Sequence, residues 1–139
     1  MRLSLALTAL LLFAGCASAP PPSGLAAELP GSSWTLERVV LHSGDVLRGD
    51  GDQVTFAADG ALTVASCNQC SGRFSMRDSV LTVEEPMACT RRACLSGQVE
   101  LERYLTGESV VRRDGVYLVV EPAAGEAEQV LLVPASTGL

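Results

Sequence analysis

The stretch "CNQCSGRFSMRDSVLTVEEPMACTRRAC", residues 67 to 94, carries four of the chain's five cysteines. Three chemistries use cysteines this close together: zinc ligation, dithiol redox exchange and disulfide stapling. The spacing is Cys67-x2-Cys70, eighteen residues, then Cys89-x4-Cys94. A four-thiolate zinc ribbon repeats the tight two-residue knuckle in both halves, and the second half here does not. Cys67-Asn68-Gln69-Cys70 has the two-residue gap of a thioredoxin-type pair, but "SGRF" follows it into a strand pattern. No helix N-terminus is in place there to lower a thiol pKa. The compartment decides among the three, and the first residues of the chain bear on that.

The other chemistry-bearing residues are sparse. His42 is the single histidine, beside Ser43 and close to Asp45. Neighbours in sequence on a strand or turn rarely converge on one substrate, so His42 reads as a loop histidine. "RGDGDQ" contains the tripeptide Arg48-Gly49-Asp50 and, with Asp45 and Asp52, enough carboxylates to suggest calcium. The spacing and closing glutamate of an EF-hand are missing, and a solvated turn is the simpler reading. Arg91-Arg92 and Arg112-Arg113 read as exposed loop or strand-end charges, with a binding rim as the alternative. No nucleophile elbow, phosphate-cradling glycine loop or zinc-protease helix appears. The expectation is no catalytic residue, no metal and no cofactor.

The chain opens "MRLSLALTALLLFAGCASAPPPSG", with Arg2 followed by an uncharged apolar run from Leu3 to Ala14. A spanning helix takes about 20 residues, so this run is the h-region of a secretory signal. "FAGC" resembles a bacterial lipobox, with Phe13 where leucine is usual, which makes Cys16 the lipidated first residue of the mature chain. Several acyl chains, each buried methylene contributing about 0.8 kcal/mol, hold such a protein at a bilayer. Ala17 after the cysteine matches default sorting to the outer membrane, with the domain facing the periplasm. Residues 1–15 are then the signal, 16–27 a lipidated Pro-rich linker, and 28–139 a single domain. Pro20 to Pro22 favour an extended spacer, about 3.1 Å per residue. Beyond the inner membrane, paired thiols are normally oxidised, which favours disulfides for Cys67, Cys70, Cys89 and Cys94.

The formal charge is −6, one unit more negative once Arg2 leaves with the signal, and all ten basic residues are arginine. That balance argues against nucleic acid, which requires a basic footprint. The expected contacts are the membrane, through the lipid, and a protein partner in the envelope.

Past the linker, apolar residues alternate in short runs. Trp34 and Leu36, Val54 and Phe56, Leu62 and Val64, Phe74 and Met76, and Leu81 and Val83 form such pairs. Asp59-Gly60 and Asp114-Gly115 sit between alternating runs, a strong hairpin signal. "QVLLVPA" closes the series. Only "SGQVELERYLTG" looks helical, with Ser96 at its start, Gly107 at its end, and Leu101, Tyr104 and Leu105 on one side. Seven or eight antiparallel strands and one short α-helix predict a mainly β barrel or sandwich, the helix plugging an end or covering a seam.

Four fragments in order carry a family likeness: "LPGSSWTL", "TFAADG", "SCNQCSG" and "MACTRRAC". Together they resemble the META/HslJ domain, from Leu29 to about Val133. The resemblance implies a compact β-barrel with a helix, in proteins tied to the bacterial envelope and stress, with no established catalytic residues. Ser66 stands where the family usually has glycine and Arg92 where it often has methionine. Cys67 and Cys94 match the family pattern, while Cys70 and Cys89 look like an added couple. Four cysteines permit three pairings; a hairpin centred near Asp78 brings Cys70 toward Cys89 and, further out, Cys67 toward Cys94. The expected function is a non-enzymatic, membrane-anchored lipoprotein that binds or buffers something during stress. The alternative is an inhibitor of an extracellular hydrolase such as lysozyme, since an acidic domain suits a basic enzyme.

Overall fold

The computed structural model describes Cys16, residues 18–21 and residues 23–136. The signal segment 1–15 lies outside the described residues. Ten strands form one antiparallel sheet: β1 Ser32–Leu41, β2 Val46–Arg48, β3 Gln53–Phe56, β4 Ala61–Ala65, β5 Gln69–Arg77, β6 Val80–Val83, β7 Ala88–Cys89, β8 Gly107–Asp114, β9 Tyr117–Pro122 and β10 Ala127–Pro134. Eight of them run in the order β1-β3-β4-β5-β6-β8-β9-β10, and β10 pairs back onto β1 from Trp34↔Pro134 to Leu41↔Ala127. The barrel is closed, so no long edge is left unpaired. β2 extends the far half of β1, and β7 adds two residues to β5.

Period-2 alternation supplies the inner lining. Val54, Phe56, Leu62, Val64, Leu81, Leu118, Val120, Val130 and Leu132 are fully buried. Phe56 and Phe74 meet edge to face, centroids 5.0 Å apart at 80°, the orientation that aromatic quadrupoles prefer. An eight-stranded barrel is just wide enough for its own side chains, and here they fill it. Among the described residues, the buried Ser109 Oγ has no hydrogen-bond partner.

The two ends differ. Among the described residues there are two one-turn helices where the sequence predicts a single helix: α1 Leu25–Glu28 and α2 Glu102–Leu105. α1 lies at the end where β1 starts, and Leu25 packs against the core beside the fully buried Leu29. The folded region therefore begins a few residues before Glu28. Arg113, from the far end of β8, ion-pairs with Glu28 and stacks on Trp34, 4.9 Å from the ring.

α2 plugs the opposite end, but it is shorter than the pattern predicts. Ser96 does not cap it; Ser96 and Gly97 form a turn, closed by Gln98 N–H donating to Leu95 O, with Gly97 at φ +89°. That left-handed residue stops a helix from starting there. Val99 and Leu101 then enter the core, Leu101 already with helical φ and ψ, and the helix itself is confined to Glu102–Leu105.

Candidate functional site

The loops at the α2 end make the most constructed surface of the molecule. The β4–β5 turn, 66–68, and the start of β5 lie against the 89–98 segment; one disulfide joins the turn to it and a second joins β5 to it. Cys67 is bonded to Cys94 and Cys70 to Cys89, one bridge nested inside the other, across 27 and 19 residues of chain. The inner pair sits directly opposite in the β5–β7 register. The turn at Asp78, whose φ is +53°, folds β5 onto β6 and aligns these positions.

Asn68, buried between the bridges, organises the loop. Its Oδ1 accepts from Arg92 N–H at 2.8 Å and from Thr90 Oγ1 at 3.1 Å, while its Nδ2 donates to Arg92 O at 3.4 Å. Thr90 N–H donates to Gln69 O at 2.9 Å, and Gln69 N–H donates to Thr90 Oγ1 at 3.0 Å. One amide thus satisfies three polar groups of a loop with little regular structure. Asn68→Ala removes three part-buried hydrogen bonds, each contributing about 0.5–1.5 kcal/mol net. The expected result is a stability loss of about 2 kcal/mol in urea unfolding, with Asn68→Asp in between because Oδ1 still accepts.

Two adjoining surface cavities open beside Cys67. One, about 450 Å³, is lined by Ser66, Gln69, Thr90, Arg91 and Arg92. The other, about 380 Å³, includes Arg48, Asp50, Asp52, Leu95 and Gln98. Arg91 and Arg92 are exposed and make no salt bridge among the described residues. Arg48 has only a long, exposed contact to Glu37, 3.8 Å. The result is an arginine-rimmed cleft on a loop that two covalent bonds hold in shape. Ser66 Oγ also donates inward to Glu102 Oε2, 2.9 Å, and Glu102 is buried.

A third cavity, about 310 Å³, opens on Cys89, Glu102, Arg103, Pro86 and Met87. Arg103 is committed to Glu100 at 3.1 Å, and that hydrogen bond holds its guanidinium pKa above the ordinary value.

The remaining sequence candidates are dispersed. His42 is exposed at the end of β1, where its backbone N–H donates to Glu126 O. Ser43 Oγ donates to Asp45 Oδ2, 2.9 Å, and closes a turn. Asp52 is buried and its Oδ2 accepts Asp50 N–H at 2.9 Å, so this carboxylate fixes the local backbone. Arg112 pairs with Asp114 and Glu121. Asn68 and Glu102 are the residues that sequence reasoning missed. Asn68 had a signal, its place between Cys67 and Cys70. Glu102 had none, because a longer helix would have turned it to solvent.

Residues 27–131 match the model of the META domain. No curated protein matches the chain. Among solved structures, an NMR structure of a protein from Burkholderia xenovorans is similar with a TM-score of 0.63 at 19% identity, over 88% of this chain and 95% of that one. A second NMR structure gives 0.57 at 19% identity, over 78% and 92%. These likenesses extend to the fold, and the domain model covers most of the sequence. The chain belongs to the META domain family.

Proposed function

We propose that this META domain is a non-enzymatic binding module, anchored to the bacterial envelope through lipid on Cys16 and acting in stress. The observation that carries the binding role is the disulfide-held, arginine-rimmed cleft beside Cys67, since the barrel interior is filled by its own side chains. A ligand has to be taken from outside, and the disulfide-held cleft offers unpaired Arg91 and Arg92 on a loop with little freedom left to lose. Pre-organised groups of that kind lower the ordering cost of binding, and guanidinium forks suit carboxylate or phosphate. The anchor is supported by "FAGC", by the spacer after it, and by the position of α1 at the end of the barrel opposite the cleft. A tether entering at α1 leaves the cleft turned away from the bilayer. No helix among the described residues is long and apolar enough to cross a membrane.

Amide NMR titration with citrate, a small polycarboxylate, tests the cleft. Shifts are expected at Ser66, Gln69 and Thr90 to Arg92, and their loss in an Arg91→Ala, Arg92→Ala variant. Absence of shifts at millimolar citrate, or equal shifts in the variant, rejects the cleft as an anion site. The net charge of −6 supports a second reading, inhibition of a basic hydrolase such as lysozyme, whose approach an acidic domain would steer. Full lysozyme activity at micromolar protein removes that reading.

A further inference from the structure

We propose that Cys70, Cys89 and Glu102 form a zinc site that exists only when the inner disulfide is reduced. The two sulfurs and a Glu102 carboxylate oxygen all lie within 4.8 Å of one another, the one such group of three among the described residues. In the oxidised protein the sulfurs bond to each other and are not thiolate ligands. Reduction frees them without dispersing them. β7 stays on β5 through the Ser71↔Ala88 pairing, the Thr90–Gln69 hydrogen bonds and the Asn68 clamp. Glu102 is fixed independently, because Leu101 and Leu105 on either side of it are fully buried.

The chemistry balances. A dithiol reductant delivers two electrons and two protons, cleaves the Sγ–Sγ bond and itself becomes a disulfide. Zinc then displaces both thiol protons, forms two Zn–S bonds and accepts one Glu102 oxygen. At a Zn–S distance of about 2.3 Å, two thiolates on a tetrahedral ion stand about 3.7 Å apart, a separation that side-chain rotation allows from paired strands. Ser66 Oγ, donating to Glu102 Oε2, is the outer-shell partner that orients a ligating carboxylate. The cavity of about 310 Å³ reaches both Cys89 and Glu102 from solvent, which supplies an entry path. Arg103 in the same cavity is paired with Glu100, so it does not occupy the Glu102 carboxylate. Two thiolates and a carboxylate suit a borderline-soft ion and leave a fourth position open.

The site is independent of the lipid anchor and of the arginine cleft, so their failure would not touch it. The test uses the full-length chain in detergent, reduced anaerobically with a phosphine and given Zn2+, with metal per chain, free thiols and far-UV circular dichroism read together. One zinc per reduced chain is expected, and none in the oxidised protein. Cys67→Ser with Cys94→Ser should retain the zinc, and Cys70→Ser with Cys89→Ser should lose it. Glu102→Gln should weaken binding by at least about tenfold. Should the reduced apo chain unfold, zinc restores the spectrum of the wild type but not of Glu102→Gln at the same concentration. Zinc in the oxidised protein, none in the reduced protein, or equal affinity in Glu102→Gln overturns the proposal.

Discussion

Gly49→Ala is expected to destabilise the domain by about 3 kcal/mol, at the upper end of the usual overpacking range. A Cβ built on Gly49 lies 2.1 Å from the Leu36 carbonyl oxygen and 2.9 Å from its carbon. Both are backbone atoms, so no rotamer change relieves the contact. The approach is enforced locally. β1 pairs with β3 through Ser32 to Thr35, then with β2 from Arg38 onward, and a bulge at Glu37 separates the two registers. Leu36 N–H donates to Asp52 O and Gly49 N–H to Glu37 O, which draws the 49–52 segment across the bulge. Moving Gly49 outward would loosen these bonds and the β1–β10 closure behind them. A loss of about 3 kcal/mol lowers the melting temperature by roughly 12 °C for a domain of this size. Gly51→Ala is the control: Gly51 has φ +82° but open space around it, so the cost is only the left-handed strain, about 1 kcal/mol. Equal melting points for the two variants would contradict the close approach. Gly49 is therefore a packing residue, its lack of a side chain required by the Leu36 backbone.

The second large effect belongs to the inner bridge. Cys70→Ala with Cys89→Ala reopens a loop of about 20 residues, worth roughly 3 kcal/mol in the chain-entropy picture. The outer bridge, Cys67–Cys94, encloses the inner one. Removing both pairs should therefore cost less than the two loops counted separately. Each closes part of the same segment, so their effects on the unfolded chain overlap. Urea unfolding of the inner-pair variant, of Cys67→Ala with Cys94→Ala, and of the variant lacking both pairs measures this. Strict additivity, or a loss below about 1 kcal/mol for the inner pair, would show that the bridges do not restrain the unfolded chain in this way.

Much of the barrel was legible because its signals are local. Asp59-Gly60 and Asp114-Gly115 do turn hairpins, and the alternating pairs from Trp34 to Val83 do face inward. What could not be read depends on distant partners. Pairing of β10 with β1 closes the barrel, and nothing near Val130 specifies Val39 as its partner. β2 and β7 have three and two residues, too few to show a period. The predicted helix from Ser96 failed because Val99, Leu101 and Leu105 satisfy extended and helical spacing in turn, and Gly97 blocks the early start. Glu102 was invisible for the same reason: its burial follows from the shortened helix. The clamp at Asn68 required knowing that residues 90–92 return to it, which the hairpin at Asp78 hinted at but could not place.

We propose an exported, lipid-anchored barrel whose distal loops are shaped by the Cys67–Cys94 and Cys70–Cys89 disulfides. Intact-mass and non-reduced peptide mass spectrometry of the native protein tests it most directly. The expected result is an N-terminal, acylated Cys16, no free thiols, and linked peptides joining Cys67 to Cys94 and Cys70 to Cys89. A mature chain with an unmodified Cys16, or with Cys67 and Cys70 linked to each other, would contradict it.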